Sequence, residues 1–125
     1  MIFYRLVQHS PPIVEDILSD EEKGIPLRRD TLENRINRQG ISVHDSYEHS
    51  RLQAERIIAA RQRNGFPVHP LWIATIDIPD NDTRFRWRRT YPHNEGHFML
   101  DAEFSARHDM LKFIVRLERI YPPLR

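Results

Sequence analysis

Three short apolar runs, far apart along the chain, set the first limit on what this sequence can fold into. They are Ile2-Phe3-Tyr4-Arg5-Leu6-Val7, Gly40-Ile41-Ser42-Val43-His44 and Gly96-His97-Phe98-Met99-Leu100. Each has the length of an ordinary strand and is too short for an amphipathic helix. Each also displays one polar residue where a half-buried strand would carry it. Arg5, Ser42 and His97 are therefore either three separate surface residues or one site gathered by the fold.

Length and composition narrow the setting. At 125 residues the chain makes one domain, with an apolar share of 39% and a charged share of 30%, as in a soluble and rather polar globule. The absence of cysteine excludes disulfides, a thiol nucleophile and thiolate metal sites, and it fits a reducing cytosol. The chain opens directly on a strand-like run, so no signal peptide is expected. No apolar run reaches the roughly 18 residues of a membrane span. The expectation is a soluble cytoplasmic protein. Net charge is +1, but acids cluster at Glu15-Asp16 and Asp20-Glu21-Glu22, while arginines dominate from Arg28 onward. Lysine occurs only at Lys23 and Lys112. Arginine-rich surfaces suit phosphate and carboxylate recognition, because the planar guanidinium is a bidentate fork; a solvated basic face is the other reading.

Periodicity and end signals order the elements. Ile2 to Val7 predicts a strand. Ser10 and Pro11 then suit a helix start, followed by Ile13, Val14, Ile17 and Leu18 at helical spacing and by Gly24. Asp30-Thr31-Leu32-Glu33 resembles a capping box for a second short helix, with Leu32 and Ile36 inward and Gly40 beyond its end. After the brief strand Ile41 to His44, Asp45-Ser46 caps the longest helix, whose apolar stripe is Tyr47, Ala54, Ile57 and Ile58. Asn64-Gly65 closes it. Leu71 to Ile78 is rich in β-branched and aromatic residues and predicts a strand. So does the alternation Arg84-Phe85-Arg86-Trp87-Arg88. A loop through Tyr91 and Glu95 leads to the strand at His97, and Asp101 to His108 reads as a loop or one helical turn. Lys112 to Ile120 alternates as a strand, with a helix over Met110 to Ile120 as the alternative. The expected class is α+β, a mainly antiparallel sheet with helices concentrated in the N-terminal half.

Several residues are candidates for chemistry. Arg5 shares a strand face with Phe3 and Val7, an unusual setting for a solvated cation, so it either holds an anion in a cleft or is a surface residue. The Ser42 hydroxyl can orient a ligand or satisfy a backbone group; a Gly-x-Ser-x-Gly elbow is absent around it. His97 can bond a ribose or phosphate, act as acid or base, or be structural, and Gly96 before it allows close approach. The histidine pairs His44 and His49, and His93 and His97, lack the His-Glu-x-x-His pattern, so no metal site is expected. Arg84, Arg86 and Arg88 alternate with Phe85 and Trp87, giving either a stripe that tracks nucleic-acid phosphates or a charged solvent face.

Taken together, Phe3-Tyr4-Arg5, Ser10-Pro11-Pro12, Gly40-Ile41-Ser42-Val43, the long helix, Ile73-Ala74 to Pro79 and Gly96-His97-Phe98 resemble a set of small bacterial proteins. Their order is also similar to the ADP-ribosyltransferase-like scaffold, including its RES-type relatives. The resemblance spans most of the chain through short motifs. It implies that an Arg or His on the first strand and a Ser or Tyr on a later strand help hold NAD, while a further strand or loop supplies an acid or, in some branches, another polar residue. Carried over, Arg5 would contact the phosphate or ribose side, Ser42 would support the nicotinamide half, and Glu95 or His97 would take the late, catalytic position. The sequence departs from the better-known pattern because it has no Gln-x-Glu or Glu-x-Glu pair. The implied activity is an NAD-dependent transferase or NAD hydrolase, with a toxin or defence component as the context, NAD as substrate and a small-molecule nucleotide as ligand. Cleaving the nicotinamide–ribose bond creates an oxocarbenium-like centre, which a carboxylate stabilises while an Arg clamps the diphosphate in a cleft between two sheets. The rivals are a non-enzymatic module that binds a ligand or protein partner on the same scaffold, and a nucleic-acid-binding protein using Arg84, Arg86 and Arg88.

Overall fold

Among the described residues every strand pairs antiparallel, and the resulting six-stranded sheet has the order β4-β5-β2-β1-β3-β6. The structure, a computed structural model, describes residues 1–27, 29–90 and 96–124. The elements are β1 (Ile2–Val7), α1 (Leu32–Asn37), β2 (Ile41–His44), α2 (Tyr47–Arg63), β3 (Leu71–Asp77), β4 (Arg86–Arg89), β5 (His97–Asp101), α3 (Phe104–Met110) and β6 (Ile114–Tyr121). Short 3-10 turns lie at Val14–Ile17 and Leu111–Phe113. The α+β class with an antiparallel sheet is what the alternating runs demand, although α3 adds a helix late in the chain. No helix is long and apolar enough to cross a membrane among the described residues.

The sheet is continuous but unevenly joined. β1 pairs with β3 along its whole length, from Ile2 opposite Asp77 to Val7 opposite Trp72, and β2 pairs with β5 from Ile41 to His44. Between β1 and β2 the ladder meets only at Tyr4 opposite His44. The sheet is thus two three-stranded halves, β4-β5-β2 and β1-β3-β6, meeting at one residue pair.

Alternation sorts the side chains onto two faces. Phe3, Val7, Ile41, Val43, Ala74, Ile76 and Leu100 form the main core together with Ile78, Phe85, Ala106 and Met110. The 3-10 turn at Val14 and helix α3 lie over this face and contact each other. The opposite face carries α2, whose Tyr47 ring meets Tyr4 edge-on at 6.4 Å. α2 starts as expected: Ser46 Oγ accepts from the His49 N–H at 3.2 Å, satisfying a donor that the first turn leaves free.

Two departures from the sequence expectation have simple causes. Helix α1 begins after Thr31, whose Oγ1 caps Asn34, and its predicted inward residues face out: Leu32 is 74% exposed and Ile36 42%. Six residues make too short a helix to bury a stripe, and backbone and side-chain bonds hold it instead. The helix predicted after Pro11 is only the 3-10 turn, with Ile17 buried and Ile13 exposed. Polar groups bind that segment. Asp16 accepts from the backbone N–H groups of Gln8 and Ile13 at 2.8 and 3.0 Å. Arg107, buried on α3, donates to Ile17 O at 2.7 Å and Ala102 O at 3.0 Å and pairs with Glu22. That guanidinium, with added bonds from Ser19, holds the Glu22 carboxyl down at about 2.

Candidate functional site

The site is built where β2, β5 and the start of α2 meet. His44 stands opposite His97 in the β2–β5 ladder, so Ser42, His44 and His97 share the face that Tyr4 also occupies. On that face Ser42 Oγ and His97 Nε2 are hydrogen-bonded, and the other ring nitrogen, Nδ1, lies 2.9 Å from Thr90 Oγ1. The His44 ring packs edge-on against His97 with centroids 5.3 Å apart. Burial drives the His44 pKa down to about 4, helped by its histidine neighbours, and burial also lowers His97. Burial thus favours the neutral form of both rings.

Backbone geometry explains how His97 reaches this position. Gly96 has a φ of +71°, a region where L side chains are strained. A Cβ there would also run into His49 Nδ1 and Asp45 Oδ1. Those two groups are bonded to each other at 2.8 Å, and Asp45 N donates to Gly96 O at 2.9 Å. Gly96 is thus where the chain squeezes past the α2 N-terminus before entering β5. The local sequence accounts for it: only glycine satisfies both the turn and the close approach.

Arg5 is brought to the same place from the other face. Its Nε donates to Asp16 O at 2.7 Å and its Nη1 to Ser42 O at 2.6 Å. The second bond falls where β1 and β2 have stopped pairing, so the guanidinium serves the Ser42 carbonyl in place of a ladder N–H. The side chain is 9% exposed, and burial pulls its pKa down to about 10. With Nε and one Nη1 N–H committed to carbonyls, a phosphate contact of the kind expected for Arg5 falls to the second Nη1 N–H and to Nη2.

Arg5, Ser42 and His97, spread over most of the sequence, therefore sit on three adjacent strands, β1, β2 and β5, and are joined in a chain of hydrogen bonds. Glu95 lies outside the described residues, as does His93. Thr90 is the residue that sequence reasoning missed. Its signal was faint: a hydroxyl residue following the Arg-rich run Arg86 to Arg89.

The arginine stripe is dispersed. Arg84 precedes β4 and is paired with Asp82 at 2.7 Å and Asp109 at 2.8 Å. Arg88 binds Asp101, Asn37 and the Ile36 carbonyl. Two of the three guanidiniums are thus neutralised within the molecule. A surface hollow of about 520 Å³ beside Arg84 and Arg86 is also lined by Asp101 and Glu103, whose charges oppose a phosphate backbone. A second hollow, about 470 Å³ between Met1, Phe85 and Trp87, includes neither Ser42 nor His97. No group of three or more His, Asp or Glu residues is placed to hold a metal ion among the described residues.

Comparison with known proteins finds no matching family model, no matching curated protein and no matching solved structure. Function rests on the site's own geometry.

Proposed function

We propose that the protein handles NAD as an ADP-ribosyltransferase-like transferase or NAD hydrolase, a chemistry suited to a toxin or defence component. The observation that carries this reading is the meeting of Arg5, Ser42 and His97 on adjacent strands, where two half-sheets touch at a single residue pair. At such a seam, adjacent strands can supply the groups from separate elements that hold the charged and aromatic parts of a nucleotide.

The residues divide the work. Arg5 braces the Ser42 main chain from beneath and adds positive charge to the seam. Ser42, exposed at its surface, bonds an oxygen of the nicotinamide half. His97 positions Ser42. A neutral imidazole carries no negative charge to match an oxocarbenium-like centre, so the acid must come from elsewhere, and Glu95, two residues before His97 in the sequence, is the first choice. The same neutrality favours the second reading, a module that binds a nucleotide without cleaving it.

The test is release of free nicotinamide from NAD by the purified protein, with Ser42→Ala, His97→Ala and Glu95→Gln alongside. Turnover that Glu95→Gln abolishes supports the enzyme. Binding without turnover selects the module, and neither binding nor turnover removes the NAD reading.

A further inference from the structure

We propose that Thr90 fixes the tautomer of His97 so that Ser42 is presented as a hydrogen-bond donor to an uncharged oxygen of a bound ligand. The argument begins with proton counting. A neutral imidazole has one N–H and one acceptor nitrogen, and His97 places a hydroxyl against each. Either Nδ1–H donates to Thr90 and Nε2 accepts from Ser42, or Thr90 donates to Nδ1 and Nε2–H donates to Ser42.

The buried hydroxyl decides between them. Thr90 is 6% exposed and its Oγ1 meets Nδ1. With Nδ1 protonated, the Thr90 proton would be a buried donor with no acceptor among the described residues, a costly arrangement. With Nδ1 as acceptor, that proton is used, and the ring proton moves to Nε2. Ser42 Oγ then accepts from His97, and its own proton is free to turn outward. Ser42 is the exposed member of the three.

The direction of this relay has a chemical consequence. An activated serine nucleophile gives its proton to the imidazole; here the imidazole gives its proton to the serine. Ser42 is therefore a binding group and not a nucleophile. The ligand it selects offers a carbonyl-type or ribose oxygen. On the NAD reading, on which this ligand assignment rests, that oxygen belongs to the nicotinamide half.

Long-range proton–nitrogen correlation NMR of the ligand-free protein reads the tautomer directly. The expected result is the Nε2–H form of His97 at neutral pH, lost as a single form in Thr90→Val and kept in Thr90→Ser. With NAD as the probe, Thr90→Val and Ser42→Ala each weaken binding by about 2- to 10-fold, the range of one neutral hydrogen bond, and Thr90→Ser binds as the parent does. An Nδ1–H form in the parent protein overturns the proposal, as does an unchanged tautomer in folded Thr90→Val. If the Nε2–H form depends on Thr90 yet NAD does not bind, the role of Thr90 stands and the NAD reading falls.

Discussion

Replacing Arg5 with Met separates the two tasks a buried guanidinium can have, bracing the protein and holding a ligand. Met keeps most of the stem volume and removes the charge and both donors. The bonds to Asp16 O and Ser42 O are charge-assisted, at about 1.5–3 kcal/mol each, for a gross loss of about 3–6 kcal/mol. Against this stands the cost of keeping the cation buried. The fall of its pKa from 12.5 to about 10 corresponds to about 3 kcal/mol, which the neutral side chain no longer carries. The balance is a net destabilisation of about 0–3 kcal/mol, centred on about 1.5 kcal/mol. Urea unfolding reads this as a midpoint lowered by about 1 M, given a slope of about 1–3 kcal/mol per molar for a domain of this size. Arg5→Lys should recover little, because one ammonium cannot reproduce the fork that spans two carbonyls. An Arg5→Met variant with an unchanged midpoint and abolished NAD binding would refute the bracing role and make the guanidinium a direct ligand contact.

Other consequences follow from the same geometry. The His44 pKa is depressed, so its neutral form is favoured by folding. Its contribution is present above the unfolded value of 6.5 and is lost as pH falls through 6.5 towards about 4. The loss reaches about 3 kcal/mol at the lower end, and His97, shifted in the same direction, steepens it. Urea midpoints at a series of pH values should fall through this window, and His44→Phe should flatten the slope; an unaltered slope would refute the assignment. Gly96→Ala should lower stability by about 2 kcal/mol or more, through the left-handed φ and the overlap with Asp45 and His49. Thermal unfolding measures it, and a midpoint equal to the parent's would contradict the close packing.

What the sequence disclosed, and what it hid, follows from range. Strands β1, β2, β3 and β5 were legible because alternation and β-branched residues are local signals, and the start of α2 was legible because Ser46 is a local cap. The boundaries of β4 and β6 were less clear, and α3 was read as no more than one turn. Arg107 shows why: its partners, Ile17 and Glu22, lie far back in the sequence. Leu32 and Ile36 misled in the other direction, since a correct helical spacing does not guarantee a surface to pack against. In the site, Arg5, Ser42 and His97 stood out as polar residues in apolar runs. Their convergence depended on strand order, which no local pattern encodes. Thr90 and the uneven β1–β2 join were invisible for the same reason.

The central claim is that Ser42 and His97, braced by Arg5, form one nucleotide site. Calorimetric titration of NAD into the parent protein, with Ser42→Ala as the comparison, tests it most directly. The account predicts saturable one-to-one binding that weakens by about 2- to 10-fold in a folded Ser42→Ala. No heat of binding in the parent protein, or equal affinity in the two, would contradict it.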